Sequence, residues 1–203
     1  MVEQNKSNKK FIAFTGPGCS GKTTLIKSVD FNKFFNEKVF HINSHTRELK
    51  HKGFPINSEG SDDTQIMITL KHFENIKNDL GMNCIFDRCV LDGFVYTKWL
   101  WRKDQVSNYV KVFAEGVYMN NIEKYDIVFY CVPDFKYTKD KDRDSNNKDI
   151  EIIKSIYDEE IRILENILYT KDTRIIRLTG NVQKRKRVVE NELNKFLWIN
   201  PLR

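Results

Sequence analysis

The chain has 203 residues, of which 40% are hydrophobic and 31% charged, with 9 Gly, 4 Pro and a formal net charge of +6. That is one ordinary domain's worth of sequence, and the profile excludes collagen-like, mostly disordered and disulfide-scaffold proteins. No apolar run approaches the ~20 residues needed to cross a bilayer. The polar first ten residues carry no export signal, so a polar tail (1–10) and a single cytoplasmic domain (11–203) are expected. The positive excess suits phosphate-bearing ligands and would equally suit a nucleic acid. Cys19, Cys84, Cys89 and Cys131 are scattered and read as reduced thiols. The spacing of His41, His45 and His51 gives no reason to expect a zinc site.

In chain order, Phe11 to Thr15 (FIAFT) is a short apolar run ended by a glycine-rich turn, which predicts a buried strand. A helix from Lys22 to about Asp30 and a strand over Lys38 to Ile42 follow. Ser61-Asp62 offers a helix start, after which Ile66, Leu70, Phe73, Ile76 and Leu80 recur at spacings of 3 and 4 and predict an apolar stripe. Met82 to Phe86 predicts the third strand. Leu91, Phe94, Val95 and Trp99 share one helix face, and another helix fills Ser107 to Glu123. Asp126 to Val132 is strand-like and Pro133 stops it. After a polar stretch over 134–149, Ile153, Tyr157, Ile161, Leu164 and Leu168 mark an amphipathic helix. Arg174 to Leu178 predicts the last strand, and Val189, Leu193, Phe196 and Leu197 a terminal helix. Five apolar strands joined by helices predict an α/β fold with a parallel sheet covered on both faces. Ligands then belong at the carboxyl ends of the strands.

Gly16-Pro17-Gly18-Cys19-Ser20-Gly21-Lys22-Thr23 fits G-x-x-x-x-G-K-[ST] between a strand and a helix start, where a phosphate-binding loop must lie. Glycines let the backbone turn its N–H groups onto a polyphosphate, and the helix adds its positive end. Gly16, Gly18, Cys19, Ser20, Gly21, Lys22, Thr23 and Thr24 are therefore assigned to ATP. Lys22 reaches the phosphates and Thr23 holds Mg2+. A guanine-specific N-K-x-D element is missing, since Asn147-Lys148-Asp149 has its acid one place early. What remains is a compact kinase or a nucleotide-sensing module.

Asp87-Arg88 follows the third strand, where an acid can hold Mg2+ and an arginine can clamp a phosphate. The string Asp87-Arg88-Cys89-Val90-Leu91-Asp92-Gly93-Phe94-Val95-Tyr96 resembles the D-R-x-x-x-S/D-x-x-x-Y signature of thymidylate kinases and of the ribosylnicotinamide-kinase-like P-loop group. Thr46-Arg47-Glu48 resembles the acceptor-side T-R-E element of thymidylate kinases, without the glycine pair that follows it there. The resemblance spans roughly Phe11 to Leu197 and implies a three-layer P-loop kinase sandwich. It implies Arg47, Glu48, Arg88, Asp92 and Tyr96 at the acceptor, and Gln65 and Phe73 as base-recognising side chains. It also implies a lid over 134–149, with Arg143 as its catalytic cation. Gly180-Asn181 with Arg185 resembles the loop beside the donor adenine, which places Arg185 at the ATP.

The expected activity is Mg-ATP-dependent phosphoryl transfer to a (deoxy)nucleoside monophosphate, with Lys22, Asp87, Arg88 and Arg143 as catalytic residues. A nucleoside or ribosylnicotinamide hydroxyl is the alternative acceptor, and would need Glu48, Asp87 or Asp92 as a base. A polynucleotide acceptor, suggested by the basic run Lys184 to Arg187, stays open, as does a homodimer.

Overall fold

Strand composition decides the architecture. Alternate residues of a strand point to opposite faces, and here both sets are apolar. Ala13, Phe86, Val128 and Tyr130 enter one core, while Ile12, Phe14, Ile85, Ile127, Phe129 and Cys131 enter another. A sheet apolar on both sides must be covered on both sides. The computed structural model, which describes residues 9–77, 81–134, 147–168 and 172–199, has this form.

The strands are β1 (Phe11–Thr15), β2 (Phe40–Ile42), β3 (Cys84–Asp87), β4 (Ile127–Cys131) and β5 (Arg174–Leu178). They form one parallel sheet in the order β2-β3-β1-β4-β5. The helices are α1 (Lys22–Ser28), α2 (Phe31–Phe35), α3 (Thr46–His51), α4 (Asp62–Lys77), α5 (Val90–Trp101), α6 (Asn108–Met119), α7 (Asn147–Ile167) and α8 (Val182–Ile199). Leu25, Phe31, Phe35, Val189 and Leu193 of α1, α2 and α8 cover one face; Leu91, Val95, Trp99, Ile156 and Ile161 of α5 and α7 cover the other. The result is a three-layer α/β sandwich. From β1 the chain runs first to β2 and β3 on one side, then crosses to β4 and β5 on the other. That reversal leaves a crevice at the carboxyl end of β1.

The five strands lie where the sequence predicts them, with bounds differing by one or two residues. Two short helices were not anticipated. Asp30 starts α2 by accepting from the Lys33 amide, and Asn36 ends it in the left-handed region (φ 52°). In α3, Thr46 to His51 turn helical directly after the second strand.

The expected apolar stripe of α4 is corrected. Leu70 is 38% exposed and Ile66 and Phe73 are half-buried, whereas the buried positions are Thr64, Gln65, Thr69, His72 and Ile76. This face turns toward α5 and a cavity described below, so burial and polarity coincide on it. Leu80, most of the 134–149 stretch and the first eight residues lie outside the described residues. None of the four cysteines forms a disulfide among the described residues, and three are buried. Among the described residues no helix is long and apolar enough to cross a membrane.

The corrected face has a direct consequence. Leu70→Gln should change stability by less than about 0.5 kcal/mol, while Ile76→Gln should cost about 2 kcal/mol or more. Urea unfolding of the two variants measures this, and the reverse order would restore the apolar-stripe reading.

Candidate active site

The loop after β1 takes its shape from positions that tolerate unusual backbone angles. Gly16 has φ 137°, and a Cβ there would lie 2.6 Å from the Cys131 carbonyl oxygen. Gly21, at φ 79°, starts α1. Between them the Lys22 ammonium is buried and donates to the carbonyls of Gly16 (2.6 Å) and Pro17 (2.8 Å) and to Ser20 Oγ (3.1 Å). Burial, then the nearby Arg88, pull its pKa down to about 8. A cation held in this way gains from an arriving anion. Thr23 and Thr24 are exposed in the first turn of α1, and Cys19 is half-buried at φ 61°.

Thr23 Oγ1 donates to Asp87 Oδ2 at 2.7 Å, which brings together the two side chains assigned to Mg2+. A hydroxyl and a carboxylate at the mouth of a phosphate loop suit a hard cation that takes its other ligands from phosphates and water. Among the described residues no group of three or more His, Cys, Asp or Glu forms an all-protein cage. The donor set therefore fits Mg2+ carried in with a nucleotide.

The next residue is Arg88, a non-glycine residue at φ 87°, in the left-handed region where side chains are strained. Its amide donates to the Phe14 carbonyl (2.9 Å), and its guanidinium donates to Asp92 Oδ1 (3.1 Å). Burial opposes the Arg88 charge, but Tyr96, Asp92, Tyr157 and Asp87 raise its pKa further than burial lowers it. Asp92 is 2% exposed, and besides Arg88 it accepts from Thr15 Oγ1 (2.8 Å), the Cys89 amide (2.9 Å) and Tyr157 OH (2.8 Å). Although burial favours its neutral form, Arg88, Lys22, the Cys89 amide and His72 hold its pKa below the ordinary carboxylate value.

Beside this pair lies a partly open cavity. Its wall is formed by Thr46, Asn57, Gln65, Ile68, His72, Arg88, Asp92 and Tyr96. Tyr96 joins the two regions. Its hydroxyl accepts from the Gly18 amide of the phosphate loop (3.1 Å), while its ring lies 5.5 Å from the Arg88 guanidinium carbon. Gln65 Oε1 accepts from Thr97 Oγ1 (3.0 Å), which fixes the amide against α5.

The structure thus brings together Lys22, Thr23, Asp87, Arg88, Asp92, Tyr96 and Gln65. Others stand elsewhere. Phe73 is half-buried with its ring under Lys77 Nζ (5.5 Å) and is not part of the cavity wall. Glu48 is exposed on α3, pairs with Lys52 (2.6 Å) and His45 (3.2 Å), and is held below its ordinary pKa by those two hydrogen bonds. Arg47 lies in the first turn of α3, one residue from the cavity-lining Thr46. Arg143 lies outside the described residues.

Arg185 is corrected. It is 1% exposed, and its guanidinium donates to the carbonyls of Gly180 (2.7 Å), Ser20 (2.7 Å) and Val132. It clips the phosphate loop to the ends of β4 and β5 instead of facing a donor base. Its burial also divides the Lys184 to Arg187 run, in which Lys186 faces Glu190 at 3.7 Å. Asn57, Ile68 and His72 went unrecognised in the sequence; for His72, a polar residue at helical spacing carries no sign that it is buried.

The fold is that of a P-loop protein, with the phosphate loop between β1 and α1. A family profile described as an AAA domain matches residues 11–185, and the chain belongs to that family. No curated protein matches the chain in sequence. Among solved structures it is similar to a deoxyadenosine kinase from M. mycoides with the products dCMP and a flexible dCDP bound (TM-score 0.64, 18% identity, 91% of this chain and 98% of that one). It is also similar to a NadR protein in complex with NR (TM-score 0.67, 16% identity), covering 93% of this chain and 52% of that one. The same deoxyadenosine kinase with dATP bound gives a TM-score of 0.62 at 18% identity over 91% and 99% of the two chains.

Two measurements test this geometry. At pH 9 the free Lys22, titrating near 8, is mostly neutral, and a bound triphosphate should return it toward its ordinary value of 10.5. ATP binding at pH 9 should therefore take up protons, and at pH 7 take up few; titration calorimetry in two buffers of different ionisation enthalpy reads this. Binding without uptake at pH 9 would contradict the buried ammonium. Separately, Arg185→Met strands three carbonyls and should cost about 3 kcal/mol in urea unfolding.

Proposed function

We propose that the chain transfers the γ-phosphoryl group of ATP to a (deoxy)nucleoside monophosphate, giving the diphosphate. The observation that carries this is the saturation of Asp92. The carboxylate in the cavity wall accepts four hydrogen bonds, two on each oxygen, and so has no lone pair left for a hydroxyl proton. A nucleoside acceptor needs a base; a monophosphate, with a second pKa of about 6, does not.

The residues then have distinct parts. The loop amides from Gly16 to Thr24 and Lys22 bind the donor phosphates. Bound Mg2+, held through Thr23 and Asp87, would supply charge neutralisation at the transferring phosphate. Arg88 lies between donor loop and cavity and stabilises charge on the phosphoryl group in flight. Asp92 fixes Arg88 in place. Tyr96 spans the loop and the cavity and aligns the two ligands, and Gln65 addresses the acceptor base. Arg47 is assigned to the acceptor phosphate, and Arg143 to closure over the donor, which excludes water.

A second reading, transfer to a nucleoside hydroxyl, draws support from two similar structures, one of a protein named a deoxyadenosine kinase and one of a NadR protein in complex with NR. Asp87 or Glu48 would then serve as base. A polynucleotide acceptor loses support because Arg185, the second residue of the basic run, is buried.

Incubation with labelled ATP and a panel of nucleoside monophosphates, nucleosides, ribosylnicotinamide and 5′-hydroxyl oligonucleotides separates these readings. The proposal expects label in a diphosphate product; label on a nucleoside or oligonucleotide alone would replace it. Arg88→Ala should lower turnover roughly 1,000-fold while leaving the ATP dissociation constant within about threefold. Unchanged turnover would remove Arg88 from the mechanism.

A further inference from the structure

The acceptor cavity contains a side chain that no part of the proposed chemistry uses. His72, on the buried face of α4, is 6% exposed and forms part of the cavity wall. Among the described residues its imidazole has no hydrogen-bond partner. Burial of a ring with one donor and one acceptor costs free energy unless a partner arrives. Here the side open to a partner is the cavity.

Gly93 explains how the ring fits. It lies inside α5, where glycine is disfavoured relative to alanine, and its φ is not in the left-handed region, so no turn requires it there. A Cβ built on Gly93 would stand 3.2 Å from His72 Cδ2. The missing methyl lets the imidazole lie back against α5 and keeps it from filling the cavity.

The electrostatics divide the cavity into two ends. Arg88 and Lys22 make the end near the phosphate loop cationic. His72 faces Asp92 and Arg88 from α5 and the β3 end, and His45 from α3. Burial outweighs the pull of Asp92, and with Arg88 and His45 it lowers the ring's pKa to about 4. The ring is thus uncharged near neutral pH, and Gln65 and Ile68 beside it are uncharged as well. An anion belongs at the Arg88 end, and a neutral planar group with donors and acceptors belongs at the His72 end.

We propose that His72 selects the acceptor's base by hydrogen bonding from the floor of the cavity, and that Gly93 sets the space left for that base. The inference rests on this cavity being the acceptor site, and it deepens that reading by naming the residue that discriminates. The ligand class is a nucleobase-bearing phosphate or nucleoside, with its sugar toward Tyr96 and Arg88.

Direct binding tests it without relying on turnover. The full chain, without ATP, is titrated calorimetrically with the four common deoxynucleosides, their 5′-monophosphates and base-free deoxyribose 5-phosphate. The wild type should prefer one base at least tenfold. His72→Phe should weaken that ligand at least tenfold and flatten the preference, while deoxyribose 5-phosphate binds as before. His72→Asn, which keeps a donor and an acceptor, should recover part of the loss. Gly93→Ala should weaken purine ligands more than pyrimidine ligands. Equal loss for the base-free phosphate would overturn the proposal by making His72 a scaffold residue. An unchanged preference in a folded His72→Phe protein, or a wild type that binds no member of the panel, would overturn it as well. A wild type that discriminates bases through His72 yet transfers no phosphoryl group would support this inference and remove the proposed activity.

Discussion

One buried carboxylate organises the centre of the molecule. Asp92 accepts from Thr15 at the end of β1, from Cys89 and Arg88 after β3, and from Tyr157 on α7. Four elements thus meet on two oxygens. A charge this deep persists only when it is paired and fully hydrogen-bonded, and here both conditions hold. Its first effect is local: with the Cys89 amide on its oxygen, it forms the reciprocal cap that starts α5. Its second effect is on Arg88, whose guanidinium it holds by a hydrogen bond.

The proposed chemistry draws on what Asp92 leaves unbalanced. Arg88 makes one contact to an Asp92 oxygen that it shares with Tyr157, and Lys22 is held by carbonyls and a hydroxyl that carry no full charge. Two cations therefore border the gap between the loop and the cavity. Electrostatic preorganisation of this kind is most effective where water is scarce and the groups need not move. The Tyr96 hydroxyl on the Gly18 amide ties the phosphate loop to the cavity wall.

The sheet was legible in the sequence because each strand is a short apolar run with a turn signal beside it. The phosphate loop was legible because few sequences satisfy its glycine and lysine spacing between a strand and a helix. The Asp87 to Tyr96 string, on one strand end and one helix, carries three side chains of the cavity wall, Arg88, Asp92 and Tyr96. What stayed hidden has a common cause. On α4 the apolar residues Leu70 and Phe73 lie partly outward, while Gln65, Thr69 and His72 are buried. A helix that lines a polar cavity inverts the usual pattern, and periodicity then marks the wrong face. Arg185 was misplaced for a similar reason: a basic run suggests solvent or phosphate, and only the fold reveals that carbonyls of three loops converge on its second residue. The short helices α2 and α3, of five and six residues, are too brief to register as a period.

The central claim is that a donor cradle and an acceptor cavity adjoin across Arg88 and accept one phosphate chain between them. A non-hydrolysable ligand joining adenosine to a nucleoside through a bridging polyphosphate spans both. Its dissociation constant, measured beside those of its two halves, is the most direct test. The account predicts binding at least about 100-fold tighter than either half, as expected when two adjoining sites are filled by one molecule. Binding no tighter than the ATP half alone would mean that the two sites do not share a phosphate path.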